Sequence, residues 1–205
     1  MNGSKNKGLL YGLVLGGGKS ARMGQDKSTL EYFKKPQVEY GYELLLPLCD
    51  QVFISNRKEQ ADLPGHKGLP QIHDDDVYQG IGPLAGILSA MQRFPNAAWF
   101  VLACDLPFLN KKTIKNVLTK RNIKKLATAY RSSHDGLPEP LCAIWEPQAK
   151  EEILRFLKQG VTCPRKILIN SDAQLLDLED KRTLDNVNSK EEYVSAIKAI
   201  KSEKH

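Results

Sequence analysis

The sequence predicts an α/β protein whose mostly parallel sheet is covered by helices on both sides, and three observations carry that prediction. A short apolar run, Leu9–Leu15, reads as a buried strand and runs straight into three glycines, Gly16, Gly17 and Gly18, so a strand enters a glycine-rich turn. A second run, Ala98–Ala103 (Ala-Trp-Phe-Val-Leu-Ala), is apolar throughout, as expected of a central parallel strand buried on both faces. Strand-like and helix-like segments then alternate along the chain, the pattern of β-α-β units.

At 205 residues the chain is most simply one domain, residues 1–205, with flexible tails at 1–7 and 202–205. Its 41% hydrophobic and 26% charged residues suit a globular protein with a full core. No run is long enough to span a bilayer, and the polar Met1–Lys7 lacks the apolar core of a signal peptide. A cytoplasmic location without membrane attachment is expected. The formal net charge is +6, but the cations are dispersed and no aromatic-interleaved basic stripe is present. Attraction for small polyanions fits this better than nucleic-acid binding. Cys49, Cys104, Cys142 and Cys163 form no Cys-x-x-Cys pair, and His66, His73, His134 and His205 make no ligand-spaced cluster. A structural zinc site is therefore not expected, and the thiols read as buried or neutral.

Pro36–Cys49 has helical spacing, with Pro36 suited to a first turn, although Gly41 and Pro47 weaken the pattern. Val52–Ser55 is a short strand, followed by a turn-rich stretch, Asn56–Lys67. Gln71-Ile72 leads into Asp74-Asp75-Asp76, by default a solvated acidic turn. Gly80–Gly86 precedes a helix, Leu84–Arg93. Asp105 follows the Ala98–Ala103 strand, and the carboxyl ends of strands are where open α/β sheets place ligands. Asn110 caps a helix over Lys111–Lys120. Leu126–Tyr130 and Leu141–Trp145 read as strands, Pro147–Gln159 as an amphipathic helix, Cys163–Ile169 as a short helix and Leu175–Leu178 as a strand. Ser189 and Glu192 form a capping box at the start of the last helix. Asp185, Asn186, Val187 and Asn188 precede it.

Chemistry concentrates in Leu13–Lys27. Glycine lets backbone approach a ligand closely, and a strand-to-helix turn turns several N–H groups toward one point, a good phosphate site. Lys19, Arg22 and Lys27 add charge beside it. The P-loop pattern fails, because the glycine required five positions before Gly18 falls on Leu13. Gly16, Gly18 and Ala21 satisfy the dinucleotide fingerprint by spacing, but the next strand ends in Asn56-Arg57 rather than an acidic residue.

The whole segment closely resembles the signature loop of sugar-phosphate and cofactor nucleotidyltransferases, Leu-x-Gly-Gly-x-Ser-x-Arg-Met-Gly-x-Asp-Lys. Its Asp-Lys ending and second-position glycine are most similar to the molybdenum cofactor guanylyltransferases. The resemblance runs from Leu9 to about Tyr193. It implies a Rossmann-like three-layer fold with one late antiparallel strand. It also implies nucleotide contacts from Leu15, Gly16, Gly17, Gly18 and Lys27, and from Asp74, which matches an aspartate following the third strand. Gly82–Gly86 matches a Gly-Pro-Leu-Ala-Gly run that implies a guanine slot at Gly82, Pro83 and Leu84. The strand followed by Asp-x-Pro makes Asp105 the implied Mg²⁺ ligand. Gly136–Leu141 resembles a stretch bordering the acceptor, and Asn186 and Asn188 match an Asn-x-Asn that lines the acceptor pocket. Gly16 departs from the family, which usually has alanine there. Ile54 and Ser55 stand where some members carry asparagine.

The implied reaction transfers GMP from GTP to the terminal phosphate of molybdenum-bearing molybdopterin, with Lys27, Arg22 and Asp105 as the catalytic set. Docking with molybdenum-insertion proteins and molybdoenzyme chaperones is also implied. The rivals are a related transferase that uses CTP or another phosphorylated acceptor, and a non-catalytic nucleotide-binding regulator. Arg165 and Lys166 read equally as acceptor-phosphate contacts or solvated cations.

Overall fold

The apolar runs do form the sheet. The structure, a computed structural model, describes residues 8–18 and 24–202. Seven strands make one sheet: β1 (Leu10–Leu15), β2 (Gln51–Asn56), β3 (Gln71–His73), β4 (Ala98–Ala103), β5 (Ala127–Arg131), β6 (Pro138–Trp145) and β7 (Gln174–Leu176). Their spatial order is β3-β2-β1-β4-β6-β5-β7. β1 lies parallel between β2 and β4, with Leu13 opposite both Phe53 and Val101. β6 runs antiparallel to both β4 and β5, while β7 returns parallel to β5. This is the α/β architecture with a late antiparallel strand that the resemblance implied.

The central strands read as uninterrupted apolar runs because each feeds two cores at a period of two. Leu10 and Val14 of β1, with Phe100 and Leu102 of β4, meet one helical layer. That layer is α1 (Gln37–Leu45) and α3 (Lys111–Thr119). Tyr11, Leu13, Trp99 and Val101 point the other way, toward α2 (Pro83–Arg93), α4 (Ala149–Lys158) and α5 (Pro164–Ile169). The two residues that weakened the first helix are explained by packing. A Cβ on Gly41 would lie 3.1 Å from Val14 Cγ1, so the glycine lets α1 lie close on β1, and the helix ends at Leu45, ahead of Pro47. Pro36 is the N-cap rather than a first-turn residue.

Asn110 caps α3 by accepting from Thr113 N at 3.0 Å. The last helix, α6 (Lys190–Ser202), begins with the expected reciprocal pair. Ser189 Oγ accepts from Glu192 N at 3.2 Å, and Glu192 Oε2 accepts from Ser189 N at 3.2 Å. Residues 1–7 and 203–205 lie outside the described residues, and Ser202 belongs to α6 rather than to a tail. Cys49, Cys104 and Cys142 are sheltered, and burial pushes the Cys49 and Cys142 thiols up to about 12. Cys163 is exposed. Nothing in the sequence pointed to the buried pair between Arg121 and Glu146. There Nε and Nη2 grip the two carboxylate oxygens at 2.7 and 2.8 Å, a bidentate, charge-assisted geometry that leaves neither ion uncompensated.

Candidate active site

The carboxyl ends of the parallel strands gather the candidate residues, as topology requires of an open α/β sheet. β1 stops at Leu15, and the glycines continue over the sheet edge. Gly16 N–H donates to Ser55 O at 2.8 Å. Gly16 O accepts from Gln60 Nε2 at 3.0 Å, and the Arg57 guanidinium donates to Gly17 O. The carbonyls of Gly16 and Gly17, and the Gly16 N–H, are therefore taken up by the protein itself. Lys19, Ser20 and Arg22 lie outside the described residues.

From Gly24 onward the described residues enter one turn of 3₁₀ helix, Lys27–Thr29, capped by Asp26. Asp26 Oδ1 accepts from Ser28 N at 3.0 Å. This turn aims Lys27 at the end of β4. Lys27 Nζ donates to Asp105 Oδ2 at 3.2 Å and to Asn188 Oδ1 at 2.6 Å. Val187 N–H donates to Asp105 O at 3.0 Å, which ties the Asn186–Asn188 segment to the same strand end. α6, which follows that segment, is itself tied to the stretch after the Lys27 turn: the Tyr193 hydroxyl donates to Glu31 O at 3.0 Å.

The three adjacent carboxylates separate cleanly. Asp75 caps the turn Asp76–Tyr78, Asp76 is exposed, and Asp74 faces inward. Asp74 accepts from Ser55 Oγ at 3.2 Å. Burial raises its carboxyl above the usual range, against smaller opposing effects of the Ser55 bond and the Arg57 charge. Gly82 takes φ +64° before Pro83 starts α2, a backbone that glycine adopts freely. A Cβ on Gly86 would fall 2.1 Å from Ser55 Oγ, so only glycine lets α2 approach β2 here.

Two cavities result. The larger, about 930 Å³, is lined by Leu15, Gly16–Gly18, Lys27, Ser55, Arg57, Asp74, Gly82, Pro83, Gly86, Asp105 and Asn188, among others. Leu84 differs from its expected place: its side chain is fully buried in the core and does not line this cavity. The smaller, about 340 Å³, is lined by Asp105, His134, Asp135, Glu139, Leu141, Arg165, Asp185 and Asn186, among others. Asp105 and Leu141 line both, so the cavities meet at the end of β4. Arg165 is held there by Asp135 at 3.1 Å and Glu139 at 2.7 Å, while Asn186 and Asn188 go to different cavities.

Asp105 is a partly exposed carboxylate, 23% accessible, at that junction. Among the described residues no group of three or more His, Cys, Asp or Glu side chains could enclose a metal ion. A single open carboxylate suits Mg²⁺, which commonly takes one or two protein carboxylates and completes its shell with phosphates and water. Arg57, Gln60, Ser55 and His66 were not expected in the site. Arg57 had been visible only as the wrong residue for a dinucleotide fingerprint.

An open, mostly parallel sheet with glycine loops and a strand-end aspartate at one edge defines a nucleotide-handling α/β enzyme. The chain belongs to the MobA-like NTP transferase domain family, whose model matches residues 12–175. It is 38% identical over 184 residues to the "Molybdenum cofactor biosynthesis bifunctional protein" of Synechocystis, covering 90% of this chain and 52% of that protein. The chain thus spans about half the length of that relative. It is 28% identical over 197 residues to the "Probable molybdenum cofactor guanylyltransferase" of Bacillus mycoides, covering 94% of this chain and 98% of the other. The fold matches the crystal structure of molybdopterin-guanine dinucleotide biosynthesis protein A from Archaeoglobus fulgidus with a TM-score of 0.76 at 23% identity, over 94% of this chain and 99% of that one. The protein is therefore a nucleotidyltransferase by family. No helix among the described residues is long and apolar enough to cross a membrane.

Proposed function

We propose that this enzyme acts in molybdenum cofactor biosynthesis, transferring GMP from GTP to the terminal phosphate of molybdenum-bearing molybdopterin. The products are the molybdopterin guanine dinucleotide cofactor and pyrophosphate. The observation that carries this reading is the meeting of two cavities at Asp105, which Lys27 Nζ reaches at 3.2 Å, the larger cavity lined by the glycine loops and the smaller by none of them. A donor polyphosphate suits the first and a phosphorylated acceptor the second.

In the proposed step an oxygen of the acceptor phosphate attacks the α-phosphorus of GTP. A new P–O bond forms, the bond from the α-phosphorus to the bridging oxygen breaks, and pyrophosphate leaves with that electron pair. The attacking oxygen is already anionic near neutral pH, so no general base is needed. What remains is alignment and charge neutralisation. N–H groups of Gly17 and Gly18 hold phosphate oxygens, that of Gly16 being taken by Ser55 O, and Lys27 meets the charge growing on the leaving pyrophosphate. Arg22, carried over from the resemblance, adds a second cation. Asp105 is the residue to hold Mg²⁺, which when bound neutralises phosphate oxygens. Asn188 keeps Lys27 directed at the junction, Asn186 faces the acceptor, and Gly82 and Pro83 border the base.

The test is pyrophosphate release with Mg²⁺ and a molybdopterin-type acceptor, with GTP, ATP and CTP in parallel. Release with GTP alone is the expected result. Release with CTP instead would replace the donor and keep the mechanism, and failure with all three on a proven acceptor would overturn the assignment.

A further inference from the structure

A chain of buried polar side chains runs beneath the glycine loop. His66, Ser28 and Asn56 are sealed from solvent, and Gln60 is nearly so. The direction of every proton is set from one end. Gln71 Nε2 donates to Ala61 O at 3.1 Å and to His66 O at 2.8 Å, so Gln71 Oε1 is the acceptor that Asn56 Nδ2 meets at 2.8 Å. Asn56 Oδ1 lies 2.8 Å from His73 Nδ1 and accepts from it. Asn56 Nδ2 also donates to His66 Nδ1 at 2.8 Å. His66 Nδ1 therefore carries no proton, and the tautomer is Nε2–H. That group donates to Ser28 Oγ at 2.8 Å. Ser28 Oγ donates onward to Asp26 Oδ1 at 2.6 Å. Asp26 Oδ2 accepts from Gln60 Nε2 at 2.6 Å, the same group that holds Gly16 O.

Lys27 lies between the two residues this chain pins. The imidazole also forms the floor of the loop: a Cβ on Gly16 would lie 2.9 Å from His66 Cε1. The alanine usual in the family at this position does not fit over the ring, so Gly16 and His66 are matched. The backbone of the His66 turn is seated in its own right. Gly65 takes φ +80°, and a Cβ there would lie 2.6 Å from Pro36 Cβ.

We propose that His66 is a positioning residue for nucleotidyl transfer, holding the Asp26-Lys27-Ser28 turn and the floor of the glycine loop, with Gly16 as the space its ring requires. The proposal rests on the nucleotidyl-transfer reading above. A lysine that loses its fixed aim costs alignment in the transition state more than affinity in the ground state.

Three variants and two readouts test it. His66→Ala lowers kcat per folded molecule by about tenfold to a hundredfold, while KM for the nucleotide stays within about threefold. His66→Gln, whose amide can donate to Ser28 Oγ, recovers most of the loss. Gly16→Ala alone also lowers kcat, but added to His66→Ala it costs little more, because the ring it would strike is gone. Amide exchange over residues 26–30 is read on the same proteins and needs no turnover; it quickens in His66→Ala and is restored in His66→Gln. A kcat within about threefold of wild type, additive Gly16 and His66 effects, or a lowered melting temperature with unchanged kcat and exchange would each overturn the proposal. If His66→Ala does not fold, His66→Gln and Gly16→Ala decide the matter. If the wild-type enzyme releases no pyrophosphate, the functional reading fails separately, and exchange over 26–30 still decides whether His66 holds that turn.

Discussion

The two cavities that meet at Asp105 are built from different material. The larger sets six glycines, from the turn after β1 and around the start of α2, beside charged side chains of both signs, among them Lys27, Arg57, Lys58, Asp74 and Asp105. The smaller has no glycine in its lining: Asp135, Glu139, Arg165, His134 and Asp185 share its wall with apolar Leu106, Pro140, Leu141, Pro164 and Leu184. A polyphosphate is held well by converging N–H groups, which one strand and one turn can supply. An acceptor of defined shape needs side chains of both signs, and these come from β6, α5, the loop after β5 and the segment before α6. Both are assembled from distant stretches of chain, but they share only Ala103, Asp105 and Leu141, so mutations elsewhere in the two should separate donor from acceptor effects.

The largest effect is expected where the cavities join. Asp105→Ala should reduce turnover by on the order of a thousandfold and weaken nucleotide binding far less, and Lys27→Ala should cost roughly a hundredfold in rate. Steady-state kinetics beside a direct nucleotide-binding measurement check both, and near-normal turnover in either variant would remove that residue from the mechanism.

Next come changes confined to one cavity. Arg165→Ala leaves the Asp135 and Glu139 carboxylates facing the smaller cavity without the cation that bridges them. It should raise the acceptor KM about tenfold with the nucleotide KM unchanged. A rise in the nucleotide KM instead would break the division between the cavities. Gly86→Ala sharpens it from the other side. The new methyl must displace Ser55 Oγ and so break the Ser55–Asp74 hydrogen bond. A stability loss of about 1–3 kcal/mol by denaturant titration should accompany weaker nucleotide binding, with acceptor KM unaffected.

The smallest effect is on pH. Burial lowers the His66 pKa below 6.5, and Asp26, reached through Ser28, opposes this more weakly. His73, through Asn56, is the other titratable group on the network. A histidine lowered in the folded state binds fewer protons than when unfolded, so its stabilisation is complete above about 6.5 and is lost as the pH falls through the lowered value. His66→Gln should flatten that acid limb of the stability profile, and parallel limbs in the two proteins would show that other groups cause it.

Several elements were legible because their causes lie within a few residues. An unbroken apolar run makes β4, a glycine triplet makes the loop after β1, an asparagine caps α3, and Ser189 with Glu192 caps α6. Asp105 was recognisable because it ends the most strand-like segment of the chain. Of the three adjacent aspartates, only the resemblance singled out Asp74. The structure supplies the physical distinction: one is a cap, one is exposed, and one is turned toward Ser55.

By itself, then, the sequence determined the elements, the glycine-rich loop after β1 and the strand end that carries the central carboxylate. Periodicity, glycine and capping act over short stretches of chain. Only the tertiary structure decided which distant side chains share a space. It set Asn188 on Lys27 across 161 positions, His66 under Gly16, Glu146 on Arg121 and Arg165 between Asp135 and Glu139. The order β3-β2-β1-β4-β6-β5-β7 brings those residues together, and the pairings appear only once every strand has found its neighbour. Leu84 marks the boundary, since its motif position points to the base slot while its apolar side chain is drawn into the core.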